Sequence, residues 1–460
     1  MRIGIDVSTI LNFGVNVGSG RYIFNLLNSL LNIIEQFNNN NSKNNNKNYN
    51  LYNHFYNTFT IKTAKYENIN NDELNKNNNK KEKKQDNNDK DNKSPINLND
   101  NYYKFVKNLS FIFTGWYKSE ENLEIINKLK EKYPNIRIRL VFFKLTQEKF
   151  DSWSNKDFPP IEIKGFKADV FHCPDYLILP TLNKNIILTI HDLSFYRFPE
   201  FNFDWFVKKY QQLVLKNALR AKKIIADSQS TKQDIINFMK IDEKKINVVY
   251  LAADEKFKAM APETLKLKKD TLEKFKIPKK YILSVGTIEP RKNFKTLIRA
   301  FNIFKKTFPI SQNYCLVIVG KTGWKSEETY EEYNKSLFKE DIILTGQVND
   351  EDLVLLYQNT SLFVYPSIFE GFGLPVLEAM SCGAPVIATN TSSILEIYSN
   401  KDFLLNPLDE TAMANKINIV LTNEKIKNDL VNFSLQQAKK FSWGKTAFQT
   451  LQVYYSCVNK

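Results

Sequence analysis

One stretch of the chain constrains the fold more than any other. Residues 363–390 read FVYPSIFEGFGLPVLEAMSCGAPVIATN. An apolar run that predicts a buried strand is followed by a glycine-containing loop and then by a short apolar segment that predicts a helix. Pro375 suits the first turn of a helix, where a missing N–H costs little, and Gly383 suits the position just past the helix end. Residues 385–388 predict another buried strand, so the pattern is strand, glycine loop, helix, strand.

This pattern favours a phosphate-containing ligand. The free N–H groups at a helix N-terminus bind phosphate, and Gly371 and Gly373 allow a ligand to approach the backbone closely. Glu370 lies on the loop, and Glu378 is predicted to lie in the first turn of the helix. Either carboxylate alone has a plainer explanation, namely solvation or complementing the helix dipole. Together, beside an anion site, they suggest the hydroxyl groups of a sugar nucleotide.

The run E-G-F-G-L-P-x-L-E-A-M-x-x-G-x-P-V-I resembles the C-terminal signature of family 4 retaining glycosyltransferases, which have the GT-B fold. The resemblance implies that Glu370 lies beside the hydroxyls of the donor sugar and that Glu378 holds the ribose. It also implies that backbone groups of Phe372, Gly373 and Leu374 line the sugar and the diphosphate.

Alternating strand and helix patterns predict two α/β units, each a doubly wound Rossmann-like parallel sheet, that face a common cleft. We expect an N-terminal acceptor-side domain in residues 1–255, a linker in 256–280 and a C-terminal nucleotide-sugar domain in 281–440. A final helix in residues 441–460 is expected to pack back on the N-terminal domain. Residues 38–101 form an Asn/Lys-rich, low-complexity insert, which we predict to be disordered.

The N-terminal residues predict a strand over 2–8, a glycine loop over 11–20 and a helix over 22–37. This loop resembles the G-x-G-R-Y loop of the family, which faces the cleft. The resemblance makes Gly18 a donor-binding candidate and draws attention to Arg21.

A second anchor is the segment SVGTIEPRKN at residues 284–293, between a predicted strand and a predicted helix. Adjacent cations there could stabilise the charge of a departing nucleoside diphosphate, although a solvated pair is the plainer interpretation. By resemblance, Lys292 matches the family's donor-phosphate lysine. Many members place an arginine directly after the glycine, where this chain has Thr287, and we expect Arg291 to take its place.

Two histidines at predicted strand ends are candidates for contact with substrate, His172 and His191. A lone histidine is more often structural. The HDL segment resembles the family's histidine that faces the donor sugar, so His191 is preferred. By the same resemblance Val348 lines the nucleobase pocket, and Asp350 is expected to cap the following helix.

The net charge of +15 fits nucleic acid, an anionic membrane surface or anionic substrates, or simply a lysine-rich composition. Basic residues on the predicted helix at 203–220 alternate with apolar ones, among them Phe206, Tyr210 and Leu215, which suggests a peripheral membrane contact. The absence of a long apolar run and of a signal peptide predicts a cytoplasmic protein, peripheral at most on the inner membrane face. The four cysteines are far apart, which predicts buried thiols rather than a metal site.

The expected function is retaining transfer of a hexose from a nucleoside diphosphate sugar to a hydroxyl of a glycan or a lipid-linked acceptor, in polysaccharide biosynthesis. Details of the resemblance favour bacterial-type mannosyltransferases, hence GDP-mannose, with UDP-glucose as the second donor. The resemblance implies no metal and no other cofactor. The alternatives are another enzyme on the same fold, such as an epimerase or a phosphorylase, and a non-enzymatic basic nucleic-acid-binding protein, although no nucleic-acid partner is expected.

Overall fold

The computed structural model describes residues 1–15, 18–43, 100–259, 271–278 and 280–459. Most of the low-complexity insert, including an aromatic stretch at 51–66 for which the sequence suggests a partial strand, lies outside the described residues. So does the charged middle of the linker, residues 260–270.

The N-terminal half forms a seven-stranded sheet, all of whose strand pairs are parallel, in the order β3-β2-β1-β4-β5-β6-β7. Its inner strands are buried almost throughout, which explains their continuous apolar sequences. The strands are β1 Arg2–Asp6, β2 Ser110–Tyr117, β3 Ile138–Lys144, β4 Val170–Cys173, β5 Ile186–Ile190, β6 Lys223–Ala226 and β7 Ile246–Val248.

The C-terminal half forms a second parallel sheet of six strands in the order β10-β9-β8-β11-β12-β13. These strands are β8 Lys280–Val285, β9 Tyr314–Val319, β10 Ile342–Gly346, β11 Leu362–Tyr365, β12 Val386–Thr389 and β13 Leu404–Leu405. We call the two halves the N-lobe and the C-lobe. The prediction of two parallel α/β units is confirmed.

Helices cover both faces of each sheet. In the N-lobe they are α1 Ser8–Phe13, α2 Gly18–Lys43, α3 Asp100–Lys107, α4 Leu123–Lys132, α5 Gln147–Lys156, α6 Ser194–Arg197, α7 Asp204–Arg220 and α8 Gln229–Met239. The later helices are α9 Phe294–Thr307, α10 Glu327–Lys335, α11 Asp350–Asn359, α12 Leu374–Ser381, α13 Ile394–Ile397, α14 Glu410–Thr422, α15 Glu424–Ala438 and α16 Trp443–Val458. In the part of the chain that the structure describes, none of the helices has the length and apolar character needed to span a membrane.

The last helix returns to the N-lobe. Helix α16 packs against α2, and the hydroxyl of Tyr454 lies 2.8 Å from Nδ1 of His172 in β4. Thr446 donates a hydrogen bond of 2.6 Å to the carbonyl oxygen of Tyr250. The chain therefore crosses between the lobes twice, once through the linker and once into this helix.

The N-terminal residues differ from the sequence prediction. The first strand ends at Asp6, and residues 8–13 form helix α1 rather than strand and loop. The reason is local: the carboxylate of Asp6 accepts hydrogen bonds from both the backbone N–H and the hydroxyl of Ser8, which turns the chain out of the sheet. The next helix is also longer than the predicted 22–37, because α2 begins at Gly18 and runs to Lys43.

Candidate active site

Glu370 is the centre of a buried hydrogen-bond network. It lies on the loop that follows β11, and only 6% of the residue is exposed. Its Oε1 accepts hydrogen bonds from Lys292 Nζ at 2.7 Å, Tyr365 Oη at 2.9 Å and Ser367 Oγ at 2.6 Å, while Oε2 accepts one from Arg291 Nη1 at 2.7 Å. The strand β11 and the turn after β8 thus bring two distant sequence segments into one cluster.

The cluster holds two cations and two carboxylates. Burial opposes ionisation of Glu370, but the charges of Arg291 and Lys292 lower its pKa to about 2. Burial lowers the pKa of Lys292 despite the nearby Glu370 carboxylate. For Arg291, burial is outweighed by Glu370 and by Glu289, which accepts from Arg291 Nη2 at 2.8 Å, and its pKa is raised well above the ordinary value. Glu370 is therefore ionised at neutral pH.

The glycine loop ends at Gly373, which precedes the first residue of α12 and has a φ of +100°. A side chain there would be strained, and a Cβ would lie 2.6 Å from Ile394 Cδ1. Within the described residues, the amides of Phe372, Gly373 and Leu374 donate to no other group. Free amides at the N-terminus of a helix suit an anionic ligand.

Glu378 does not lie in the first helical turn, so that prediction is wrong. Helix α12 begins at Leu374, which makes Glu378 the fifth residue and places it in the second turn. Its carboxylate accepts from Arg21 Nη1 at 3.2 Å and from Tyr357 Oη at 3.1 Å. Burial raises its pKa, although the charge of Arg21 opposes this. Its environment is thus a specific pair of donors rather than the helix dipole.

Arg21 connects the two lobes. It projects from α2 of the N-lobe, and in addition to Glu378 it contacts Asp350 Oδ1 at 2.6 Å in the C-lobe. Asp350 does not cap its helix as predicted. Asn349 is the cap, and its side chain accepts a hydrogen bond from the amide of Asp352. Asp350 instead pairs with Arg21 and with Lys256.

A cleft of about 950 Å³ opens between the lobes. Gly18 and Arg21 border it on the N-lobe side, and Val348 borders it on the C-lobe side, together with loops that follow β8, β9 and β10. Glycine loops at the carboxyl ends of parallel strands are where ligands of such sheets bind. Gly18 and Val348, which lie far apart in the sequence, therefore face the same space.

His191 is held between two acceptors. Its Nδ1 lies 2.7 Å from Asp227 Oδ2, and its Nε2 lies 3.1 Å from the carbonyl oxygen of Pro174. Both partners accept, so both ring nitrogens donate and the ring is an imidazolium. Burial lowers the pKa of His191, but the charge of Asp227 outweighs it and raises the pKa to about 9. The ring packs edge-on against Tyr22, with centroids 4.8 Å apart.

His172 has a different environment. It is fully buried in β4, where Thr189 and Tyr454 lie 2.8 Å from its two ring nitrogens. Burial lowers its pKa to about 3, so this ring is neutral. Its contacts link the N-lobe sheet to helix α16, which is a structural role.

Arg291 and Thr287 face different spaces. Thr287 borders the large cleft, whereas Arg291 borders a separate, smaller cavity. The exposed Lys321 borders the large cleft, and it was not among the residues predicted from the sequence. Its position, in a glycine–lysine pair directly after strand β9, could have indicated it.

Asp227, the partner of His191, was also not predicted, because no sequence pattern pairs residues that far apart.

Two family models match this chain. Residues 116–257 match Glycosyltransferase Family 4, and residues 268–437 match Glycosyl transferases group 1. The chain is 30% identical over 294 residues to O-antigen chain mannosyltransferase B of Escherichia coli, an alignment that covers 64% of this chain and 75% of that protein. The chain belongs to glycosyltransferase family 4.

Other relatives of this family 4 glycosyltransferase align over smaller shares of their length. The serotype-specific mannosyltransferase WbdA of Escherichia coli is 35% identical over 237 residues, which is 51% of this chain and 28% of WbdA. O-antigen chain mannosyltransferase RfbU of Salmonella typhimurium is 29% identical over 248 residues, 53% of this chain and 63% of RfbU. The chain therefore spans only about a quarter of the length of WbdA.

Solved structures agree on the fold. A glycosyltransferase from Rickettsia africae has a TM-score of 0.57 at 20% identity, covering 78% of this chain and 93% of that one. Anabaena HepE in complex with UDP and glucose has a TM-score of 0.58 at 16% identity, covering 75% and 92%. The family 4 glycosyltransferase described here therefore has the GT-B fold that the sequence predicted.

Proposed function

We propose that this enzyme transfers mannose from GDP-mannose to a hydroxyl of a glycan or a lipid-linked glycan, with retention of anomeric configuration. The relatives named mannosyltransferases support the choice of sugar. The observation that carries the proposal is the network around Glu370, in which a buried lysine and a partly buried arginine lie on the loop after β8, next to a helix N-terminus with free amides.

In the proposed complex the diphosphate lies on the amides of residues 372–374 and close to Lys292. Glu370 keeps Lys292 in place by a 2.7 Å ion pair, so the ammonium is oriented before the donor binds. When the sugar–phosphate bond breaks, negative charge grows on the leaving diphosphate, and a fixed buried cation stabilises it. The acceptor hydroxyl attacks the same face of the sugar, and the leaving phosphate accepts its proton.

His191 acts in this proposal as a fixed positive charge beside the donor sugar. Both of its ring nitrogens donate to acceptors of the protein, so it has no free lone pair with which to remove a proton. A cation at this position complements the negative charge of the leaving group. Glu378 accepts hydrogen bonds from the hydroxyl groups of the ribose once Arg21 has moved from it.

The test is a comparison of nucleotide affinities followed by a transfer assay. We expect GDP to bind more tightly than UDP or ADP in calorimetric titration, and labelled mannose from GDP-mannose to appear in a mannose-terminated oligosaccharide. Lys292→Ala should lose transfer, whereas Lys306→Ala, a change in another lysine of the C-lobe, should not. Wild-type protein that binds none of the three nucleotides would contradict the proposal.

A UDP-sugar is the second candidate donor, since HepE was solved with UDP and glucose on the same fold. Tighter binding of UDP than of GDP in the same titration would favour a UDP-hexose.

Metal independence is also part of the proposal, because Lys292 and free amides take the place that a divalent cation has in other transferases. Transfer should then proceed unchanged in EDTA, and a requirement for added Mg²⁺ or Mn²⁺ would contradict it.

We also propose a peripheral contact with anionic lipid, at a site that differs from the one the sequence suggested. Phe206, Tyr210 and Leu215 of α7 pack against the N-lobe core rather than facing outward. Among the described residues of the N-lobe, six other large apolar side chains are more than half exposed. Phe13 and Trp205, at the start of α7, are two of them, and we call the remaining four the apolar surface cluster: Phe158, Ile163, Leu182 and Leu219.

Arg220, next to Leu219, connects three members of the apolar surface cluster, because it donates to the carboxylate of Asp157, beside Phe158, and to the carbonyl oxygen of Thr181, beside Leu182. The hydroxyl of Thr181 donates to Glu162, which precedes Ile163. Exposed lysines lie within three residues of every member of the cluster, namely Lys156, Lys164, Lys184 and Lys222. Exposed apolar side chains with lysines close by in the chain suit the surface of an anionic bilayer. Leu182→Asp should weaken flotation with phosphatidylglycerol vesicles, while Leu337→Asp, at an 80% exposed position of the C-lobe, should not. Equal flotation of both variants would contradict this site.

A further inference from the structure

A second cavity, of about 160 Å³, lies between the lobes and is separate from the large cleft. Asp192 and Asn202 border it from the N-lobe, and Glu289, Arg291 and Trp324 border it from the C-lobe. Cavities of ~150 Å³ hold a single six-membered ring such as benzene. The space is therefore suited to one sugar ring and is too small for a nucleotide.

Aromatic rings form much of its wall. Tyr176, Phe195 and Phe206 contribute from the N-lobe, and Trp324 closes the cavity from the C-lobe. The indole N–H of Trp324 donates a 2.9 Å hydrogen bond to the carbonyl oxygen of Phe201, which holds the ring across the lobe boundary. The C–H faces of a pyranose pack well on aromatic rings, because both surfaces are apolar with polar edges.

Polar groups with unused hydrogen-bonding capacity border the same space. Asp192 uses one carboxylate oxygen to accept from the amide of Ser194, and Glu289 uses one to accept from Arg291. Asn202 is 7% exposed, and its side-chain amide makes no hydrogen bond within the described residues. Carboxylate and amide groups that keep free hydrogen-bonding positions at the wall of a cavity can bind the hydroxyl groups of a polar ligand.

The cavity lies against the catalytic network. Arg291 borders it and donates to Glu370 at 2.7 Å, and Asp192 directly follows His191 in the chain. We propose that this cavity binds the terminal hexopyranose of the acceptor glycan, with Trp324 as the ring on which the sugar stacks. This inference rests on the proposed function, since it assigns the second substrate of the same reaction.

The experiment compares the wild type, Trp324→Ala and Trp324→Phe in the full chain. Methyl α-mannopyranoside serves as the acceptor probe. Its binding is followed by saturation-transfer NMR in the presence of GDP, and its KM is taken from transfer assays with GDP-mannose. We expect Trp324→Ala to weaken acceptor binding about tenfold or more and to raise the acceptor KM equally, where a factor of ten corresponds to about 1.4 kcal/mol. The affinity for GDP should be unchanged.

Trp324→Phe separates stacking from lobe closure. Phenylalanine keeps an aromatic face but loses the hydrogen bond to Phe201, so a stacking role predicts acceptor affinity close to wild type. If Trp324→Phe is as defective as Trp324→Ala, the indole acts through lobe closure and the inference is overturned. It is also overturned if wild type does not bind methyl α-mannopyranoside, or if Trp324→Ala loses affinity for GDP-mannose instead. Failure of the proposed function itself is recognised separately, by wild type that does not bind GDP.

Discussion

Replacement of Glu370 by glutamine tests the energetics of the buried network. Glu370→Gln keeps the size of the side chain but removes the negative charge that Arg291 and Lys292 face. Glu289 would then be the remaining carboxylate of the network, and its ion pair is with Arg291. Removing one partner of a buried ion pair costs ~3–5 kcal/mol, because the remaining charge is left without compensation.

The structure gives an independent magnitude. The ordinary pKa of 4.5 for Glu370 is lowered to about 2, with burial opposing and the two cations favouring the charged form. At ~1.36 kcal/mol for each pKa unit, this difference corresponds to about 3 kcal/mol of stability at neutral pH. Because the pKa is lower in the folded state, this contribution is complete above pH 4.5 and is lost as the pH falls towards 2.

The assay is urea unfolding of wild type, Glu370→Gln and the matched control Glu121→Gln at pH 7.5 and 3.5. Glu121 is exposed, so its variant should unfold like wild type at both pH values. At pH 7.5, Glu370→Gln should be less stable by about 3 kcal/mol, and at pH 3.5 the difference should have shrunk by about 1 kcal/mol. Equal stability of Glu370→Gln and wild type, or a difference that does not change with pH, would refute the reasoning.

Further predictions concern single positions of the site. Asp227→Asn should lower the pKa of His191 from about 9, because the neighbouring charge that raises this pKa is gone. The transfer rate, which falls when His191 loses its proton, should then begin to fall at a lower pH. An unchanged pH–rate profile would count against the imidazolium role. Glu378→Ala should raise the Kd for GDP about tenfold in calorimetry, and wild-type affinity would remove the ribose assignment. Lys292→Ala should lower kcat by ~10²–10³-fold, the size typical of losing an oxyanion donor, with an unchanged far-ultraviolet circular dichroism spectrum, and wild-type turnover would remove its role. Gly373→Ala should destabilise the protein by ~1–3 kcal/mol, because alanine at a φ of +100° is strained, and a stability equal to wild type in urea unfolding would show that the backbone adapts.

The short signature of residues 363–390 was informative because its constraints are local. The helix predicted between the glycine loop and Gly383 is confirmed as α12, Leu374–Ser381, since proline fixes its own backbone and glycine permits left-handed turns whatever surrounds them. Long apolar runs likewise predicted the parallel strands, because a strand buried on both faces leaves little choice of residue. The helix at residues 8–13 was missed, since a side-chain contact from Asp6 to Ser8 determines where that strand ends.

Thus the amino-acid sequence by itself determined the two-lobed α/β class, the family, and the candidates Glu370, Lys292 and His191. Only the tertiary structure decided which groups meet. Arg291 borders the small cavity and not the large cleft that Thr287 borders. Asp227 makes His191 an imidazolium, and Arg21 contacts Glu378. The physical reason is that charge pairing and burial depend on distances between segments tens or hundreds of residues apart. Periodicity and turn chemistry report only on neighbours along the chain.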